Sequence, residues 1–188
     1  MCKTFAEEAG IALDDAPEPL FKLLVLCSLQ AKPIRAQVAV AAARGLFAAG
    51  LTTPEALRRA PRAKLIRIFG ETGYKRYDES TATRLREMSE LLLRDYGGDL
   101  RELREGAPKS LEVFDGVGPA CAQMFAREAQ DVWPELAPVF DTKALAGAEK
   151  LGLPKDPGKL AELTADPASE WPSELPRFAA LLVREGLS

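Results

Sequence analysis

The chain has 188 residues, 47% apolar and 28% charged, with a formal net charge of −3, which fits one globular domain or two small lobes and excludes disordered and fibrous classes. Histidine is absent, and the three cysteines, Cys2, Cys27 and Cys121, lie far apart. A Ser-His-Asp triad, a Cys-His dyad and a zinc site with paired Cys/His spacing are ruled out, and a disulfide framework is not expected. Scattered, odd-numbered thiols point to a reducing compartment. The longest apolar runs, Leu23 to Cys27 and Val38 to Ala43, fall far short of the ~20 residues that span a bilayer. The first ten residues carry Glu7 and Glu8 and no apolar signal stretch, so a cytoplasmic protein with no membrane partner is expected.

Apolar residues recur at three- and four-residue spacing and nowhere alternate with period two, which predicts an all-α fold. Pro19 to Gln30 reads as a helix apolar nearly all round. Pro33 opens the next as a first-turn proline, and Gly50 closes it. Thr53-Pro54-Glu55 supplies an N-cap, a first-turn proline and an acid for a short helix, which Pro61 separates from another ending at Gly70. A polar, aromatic loop over Thr72 to Tyr77 precedes the longest helix, Glu79 to Tyr96, with Leu85, Met88, Leu92 and Leu93 on one face and Gly97-Gly98 as its stop. Helices over Pro108 to Phe114 and Pro119 to Asp131 flank Asp115-Gly116-Val117-Gly118. Further helices are expected near Thr142 to Leu151, Gly158 to Thr164 and Ser173 to Gly186. The prolines at 134, 138, 154 and 157 mark a change of character, with a lobe boundary near Glu135.

Charge is segregated along the chain. Lys32 to Arg76 holds ten basic residues against Glu55 and Glu71, a net of +8, which leaves −11 on the remainder. Such a region suits a polyanion-binding face, and it equally suits the solvated sides of amphipathic helices. The glycines of Gly116-Val117-Gly118 let the backbone turn sharply between two helices, and the amides that open the following helix are free to grip a phosphate. The same three residues would also serve as a tight interhelical turn with Val117 packed inward.

With these residues on the page, the sequence resembles the helix-hairpin-helix DNA glycosylase superfamily, in its endonuclease III-like branch. The resemblance is carried by Phe114-Asp115-Gly116-Val117-Gly118, by Val139-Phe140-Asp141-Thr142 roughly twenty residues later, by Ser28-Leu29-Gln30-Ala31 and by Thr53-Pro54-Glu55-Ala56-Leu57. It runs from about Leu23 to Leu153 with its features in order. It implies two helical lobes, residues 23–135 with the hairpin at 116–118 and residues 1–22 plus 136–188, with an active-site cleft between them. It also implies a monomer that excises a damaged or mispaired base, flipped out of double-stranded DNA, by hydrolysing the N-glycosidic bond. In the cell such a protein would be nucleoid-associated when bound to DNA.

Within that resemblance Asp141 is the candidate catalytic residue. A carboxylate about 4 Å from a sugar cation contributes about 4 kcal/mol at an effective dielectric near 20, roughly a thousandfold in rate, and it can orient or deprotonate the attacking water. Asp141-Thr142 also reads as an N-cap, and one side chain can do both. The DNA-binding candidates are Gly116, Val117, Gly118, Gln30, Lys32, Tyr74, Lys75, Arg76 and Lys143. Gln30 is placed where relatives insert a residue into the vacated stack, and Tyr74 where they place an opposite-strand wedge. A helix-terminal glutamine and a packed loop tyrosine are the plainer alternatives.

Two departures refine the expectation. Where strand-cutting members carry a Schiff-base lysine this chain has Ala120, so a monofunctional glycosylase is expected; Lys143 stands where a histidine is common. No cysteine follows Cys121, so no iron-sulfur cluster, metal or other cofactor is expected, with room only for a monovalent cation at the hairpin. Trp171, Leu175, Phe178, Leu181 and Leu182 are expected to hold the C-terminal helices by apolar packing instead. The missing lysine, the missing cluster and the acidic total keep a second reading open, a helix-hairpin-helix DNA-binding protein without turnover.

Overall fold

The computed structural model describes residues 2–188. Among the described residues the fold is all-helical, with no strand. In chain order the helices are α1 (Phe5–Glu8), α2 (Pro17–Gln30), α3 (Ala36–Ala48), α4 (Pro54–Arg59), α5 (Arg62–Glu71), α6 (Asp78–Tyr96), α7 (Pro119–Ala129), α8 (Thr142–Lys150), α9 (Pro157–Ala165) and α10 (Leu175–Leu187). Short 3-10 helices cover Leu100–Leu103, Lys109–Val113 and Pro134–Leu136.

Local chemistry sets most of these boundaries. The Thr53 hydroxyl accepts from the Ala56 amide at 3.2 Å, with Pro54 as the first helical residue, which fixes the start of α4. Asp156 caps α9 in the same way, through the Lys159 amide at 2.9 Å. Gly97, at φ 62°, ends α6 in the left-handed conformation that glycine adopts without steric cost. Two expectations need correction. Pro33 does not open α3, because the Ile34 amide bonds the Lys32 carbonyl at 2.7 Å and that three-residue turn holds the chain bent until Arg35, so the helix begins at Ala36. The segment before the glycine hairpin is 3-10 and not α-helical. The four-residue α1 lies outside the expected elements, although Thr4 and Glu7 form a reciprocal capping box.

The core is organised around α2, whose Leu20, Phe21, Leu23, Leu24, Leu26 and Leu29 are all fully buried. Helix α2 packs on α3 and α7, α6 packs on α4 and α5, and α8 packs on α10. Helix α7 touches both α2 and α10, so it links the parts of the chain before and after it. At the C-terminal end Phe178 and Leu182 are buried, while Trp171 stacks on Phe178 with ring centroids 5.5 Å apart. Leu175 and Leu181 are half-buried beside them.

The α8–α10 crossing is built on glycine. A Cβ added to Gly147 would lie 1.7 Å from the Leu182 carbonyl oxygen, and one added to Gly186 would lie 2.6 Å from the Lys143 carbonyl oxygen. Backbone meets backbone there, so neither position has a flexible side chain that can yield. We expect Gly147→Ala to cost about 1–3 kcal/mol or more, read as a lowered urea midpoint. Gly70→Ala, in open space within α5, is expected to stabilise the chain by about 0.5–1 kcal/mol. Equal midpoints for the two variants would contradict this packing.

Candidate functional site

The glycine turn is held from beneath. The Phe114 and Val117 side chains are buried, and the Val117 amide bonds the Phe114 carbonyl at 3.0 Å. Gly116 is exposed at φ +88°, a conformation that favours glycine. Gly118 caps α7 without a side-chain bond, and the Gly118 and Ala120 amides have no backbone acceptor. Free donors therefore crown this helix end. Arg84 pairs with Asp115 at 2.7 Å alongside. A small hollow of about 30 Å³ brings Lys32, Arg84, Gly116 and Val117 together.

Asp141 sits at the start of α8, with both carboxylate oxygens engaged. Oδ1 accepts from the Ala144 amide at 3.0 Å, and Oδ2 accepts from Arg127 Nη1 at 2.7 Å. Asp141 is 7% exposed and Arg127 2%. The guanidinium also lies 5.1 Å from the Phe5 ring centroid and 3.6 Å from Glu128 Oε1. Burial raises the Glu128 carboxyl above its ordinary range, with Arg127 pulling the other way. Asp141 is thus an N-cap and half of a buried ion pair, and its carboxylate is not free toward solvent.

Arg127, but not Asp141, lines a cavity of about 570 Å³, within the range of small-molecule sites. Gln30, Arg35, Arg127, Lys143 and Arg184 contribute polar groups to its wall, and Ile34, Met124 and Leu187 contribute apolar surface. Gln30 is only 7% exposed, and its Oε1 has no hydrogen-bond partner among the described residues. Lys143 is exposed. Of the residues singled out in the sequence, the cavity gathers Gln30 and Lys143, and Arg127 ties Asp141 to them. The small hollow gathers Lys32, Gly116 and Val117. Gln30, the last residue of α2, and Lys32, two residues further on, join the two groups.

Tyr74 requires correction. It is fully buried, its hydroxyl donates to the Leu29 carbonyl at 3.0 Å, and its ring packs on Phe69 at 5.2 Å. Desolvation pushes its phenol up to about 12. A side chain so enclosed supports α2 from below and is no wedge for a DNA strand. The sequence reading missed Tyr77, which is half-buried with Lys32 Nζ 5.5 Å and the Arg76 guanidinium 5.3 Å from its ring centroid. The run Lys75-Arg76-Tyr77 was the available signal. Lys75 and Arg76 are both exposed.

The thiols carry no evident chemistry. Cys27 and Cys121 are buried, and desolvation raises both, Cys121 to about 11. Among the described residues no three His, Cys, Asp or Glu side chains gather as a metal site, and no helix is long and apolar enough to cross a membrane. No family model matches the chain, and no curated protein matches it.

Removing one partner from a buried ion pair strands the other charge, at a cost of about 3–5 kcal/mol. Arg127→Met is therefore expected to lower stability by that order, and Arg127→Met with Asp141→Asn to recover most of it, because asparagine keeps the cap. Urea melts of the single and double variants would show strong non-additivity; simple additivity would mean the pair is not coupled. Tyr74→Phe, which removes the hydroxyl bonded to the Leu29 carbonyl, is expected to lose about 0.5–1.5 kcal/mol of stability, read as a lowered urea midpoint.

Proposed function

We propose that this chain is a monofunctional DNA glycosylase of the helix-hairpin-helix, endonuclease III-like type, with residues 116–118 as its hairpin and the cavity as an interlobe cleft that receives a flipped nucleotide. The observation that carries the reading is the convergence of Gln30, Lys143 and Arg127 on one cavity, with Asp141 held behind Arg127 and the end of α2 leading on to the glycine turn. The free amides at the start of α7 would take a strand phosphate, and Lys32, Lys75 and Arg76 would contact the neighbouring backbone. A base extruded into the cavity would leave as the C1′–N bond breaks, taking the bonding electrons. The sugar cation left behind would be stabilised by the Asp141 carboxylate, and water would add its oxygen at C1′ while its released proton ends on the departed base anion. Ala120 offers no amine to the sugar carbon, so strand cleavage is not part of this reaction.

For that chemistry Arg127 must release Oδ2, since a carboxylate neutralised at 2.7 Å has little field left for a second cation. This observation favours the second reading, a DNA-binding protein of the same architecture without turnover. Duplexes carrying alkylated, deaminated, mispaired or oxidised bases, treated with alkali after incubation, separate the two. Under the glycosylase reading the wild type releases at least one base, and Asp141→Asn, or Arg127→Met/Asp141→Asn where the single variant is unstable, is slower by about a thousandfold. Release of no base, with salt-dependent duplex binding intact, would leave the binding protein. Borohydride trapping on abasic DNA should give no efficient adduct, and an efficient one would defeat the monofunctional assignment.

A further inference from the structure

The cavity holds more positive charge than the Asp141 reaction uses. Four cationic side chains line it, Arg35, Arg127, Lys143 and Arg184, against one carboxylate side chain, Glu8. Arg127 is paired with Asp141, and Arg184 with Glu8 at 2.8 Å. Arg35 and Lys143 have no carboxylate partner among the described residues, and both are exposed. Arg35 is also the N-cap of the thirteen-residue α3, which has no side-chain cap. The Ala36 and Gln37 amides, in the same cavity wall, have no backbone acceptor. Two residues that line the same space are more than nine-tenths buried, and each carries an enclosed polar atom with no hydrogen-bond partner among the described residues, Nε of Arg127 and Oε1 of Gln30. Beside these polar groups stand Ile34, Met124 and Leu187, an apolar surface that inorganic phosphate alone would leave unused.

We infer that the cavity is a nucleoside-phosphate site, with the phosphate held by Arg35, Lys143 and the free α3 amides and the base lying along the apolar wall. Cations, open helix amides and an apolar face converge within a volume of nucleotide size. The inference rests on the reading of the cavity as the place where a nucleotide is received, and it assigns the anchoring to residues outside the glycine hairpin. The same chemistry is offered by a nucleotide flipped from DNA and by a free mononucleotide. The positive lining also makes the cavity a poor host for a base that is itself cationic.

The test is a titration of the full chain with uridine 5′-monophosphate, uridine and inorganic phosphate, followed by the NMR shifts of the Ala36 and Gln37 amides. Arg35→Ala/Lys143→Ala, which alters two exposed side chains, is run beside the wild type. The expected result is that uridine 5′-monophosphate binds more tightly than either uridine or phosphate. Its affinity should fall about tenfold or more in the double variant and weaken with salt. Equal affinity for the nucleotide and for phosphate, or an unchanged double variant, would overturn the inference. A duplex with one extrahelical nucleotide distinguishes the sources: preference over intact duplex that is lost in the double variant assigns the phosphate to DNA, and its absence assigns it to a free nucleotide. Nucleotide binding that depends on Arg35 and Lys143 without release of any base keeps this site and removes the glycosylase reading. Base release at full rate by the double variant keeps the glycosylase and removes this site.

Discussion

The buried pair between Arg127 and Asp141 is the constraint on which the rest of this region depends. It closes the gap between α7 and α8, two helices separated in the chain by a proline-rich connection, with a contact of 2.7 Å in a setting almost free of water. A charge pair in that setting is unforgiving, because neither partner can be resolvated if the other moves away. Asp141 also caps α8, so the ion pair and the helix start are one event. Helix α8 is fixed to α10 through Gly147 and Gly186, and α10 reaches back to the N-terminal segment through Arg177 to Glu7 at 2.5 Å and Arg184 to Glu8 at 2.8 Å. Geometry at one carboxylate is thereby transmitted to the wall of the cavity.

The placement of α7 gives the arrangement its logic. One end of this helix carries the glycine turn with its open amides, and the other carries Arg127, eight residues after Pro119 and therefore about 12 Å along the axis. A strand gripped at the first end would lie within reach of the cavity at the second. Between them the buried side chains of α7 pack on α2, whose final residues belong to both the cavity and the small hollow beside the hairpin. Rigid elements, and not loops, set the spacing between the two candidate anchoring points.

Much of the fold was legible because its punctuation is local. Thr53-Pro54, Asp141-Thr142 and Gly97-Gly98 act within one helical turn, and each does in the structure what its side chain or backbone allows in isolation. What escaped the sequence was set by distance along the chain. Arg127 lies fourteen residues before Asp141 and looks like any arginine of an amphipathic helix; only the approach of α8 makes it a counter-ion. Tyr74 follows a glycine in a polar segment, which reads as exposed, yet the chain turns there and drives the ring under α2, where the Leu29 carbonyl satisfies its hydroxyl. The cavity draws on α2, α3, α7, α8 and α10 and has no local signature at all.

The charge distribution gains a physical sense from this geometry. An acidic chain repels nucleic acid at long range, so any attraction must be focused where acids are few and low-dielectric walls concentrate the field. Beside the hairpin Asp115 is paired with Arg84; in the cavity Glu8 is paired with Arg184. Among the described residues, the cations left without a carboxylate partner include Lys32, Lys75 and Arg76, and Arg35 and Lys143 at the cavity wall. A net charge of −3 is consistent with a polyanion partner on these terms: local pairing decides which positive charges are left over, and those are the ones a ligand encounters.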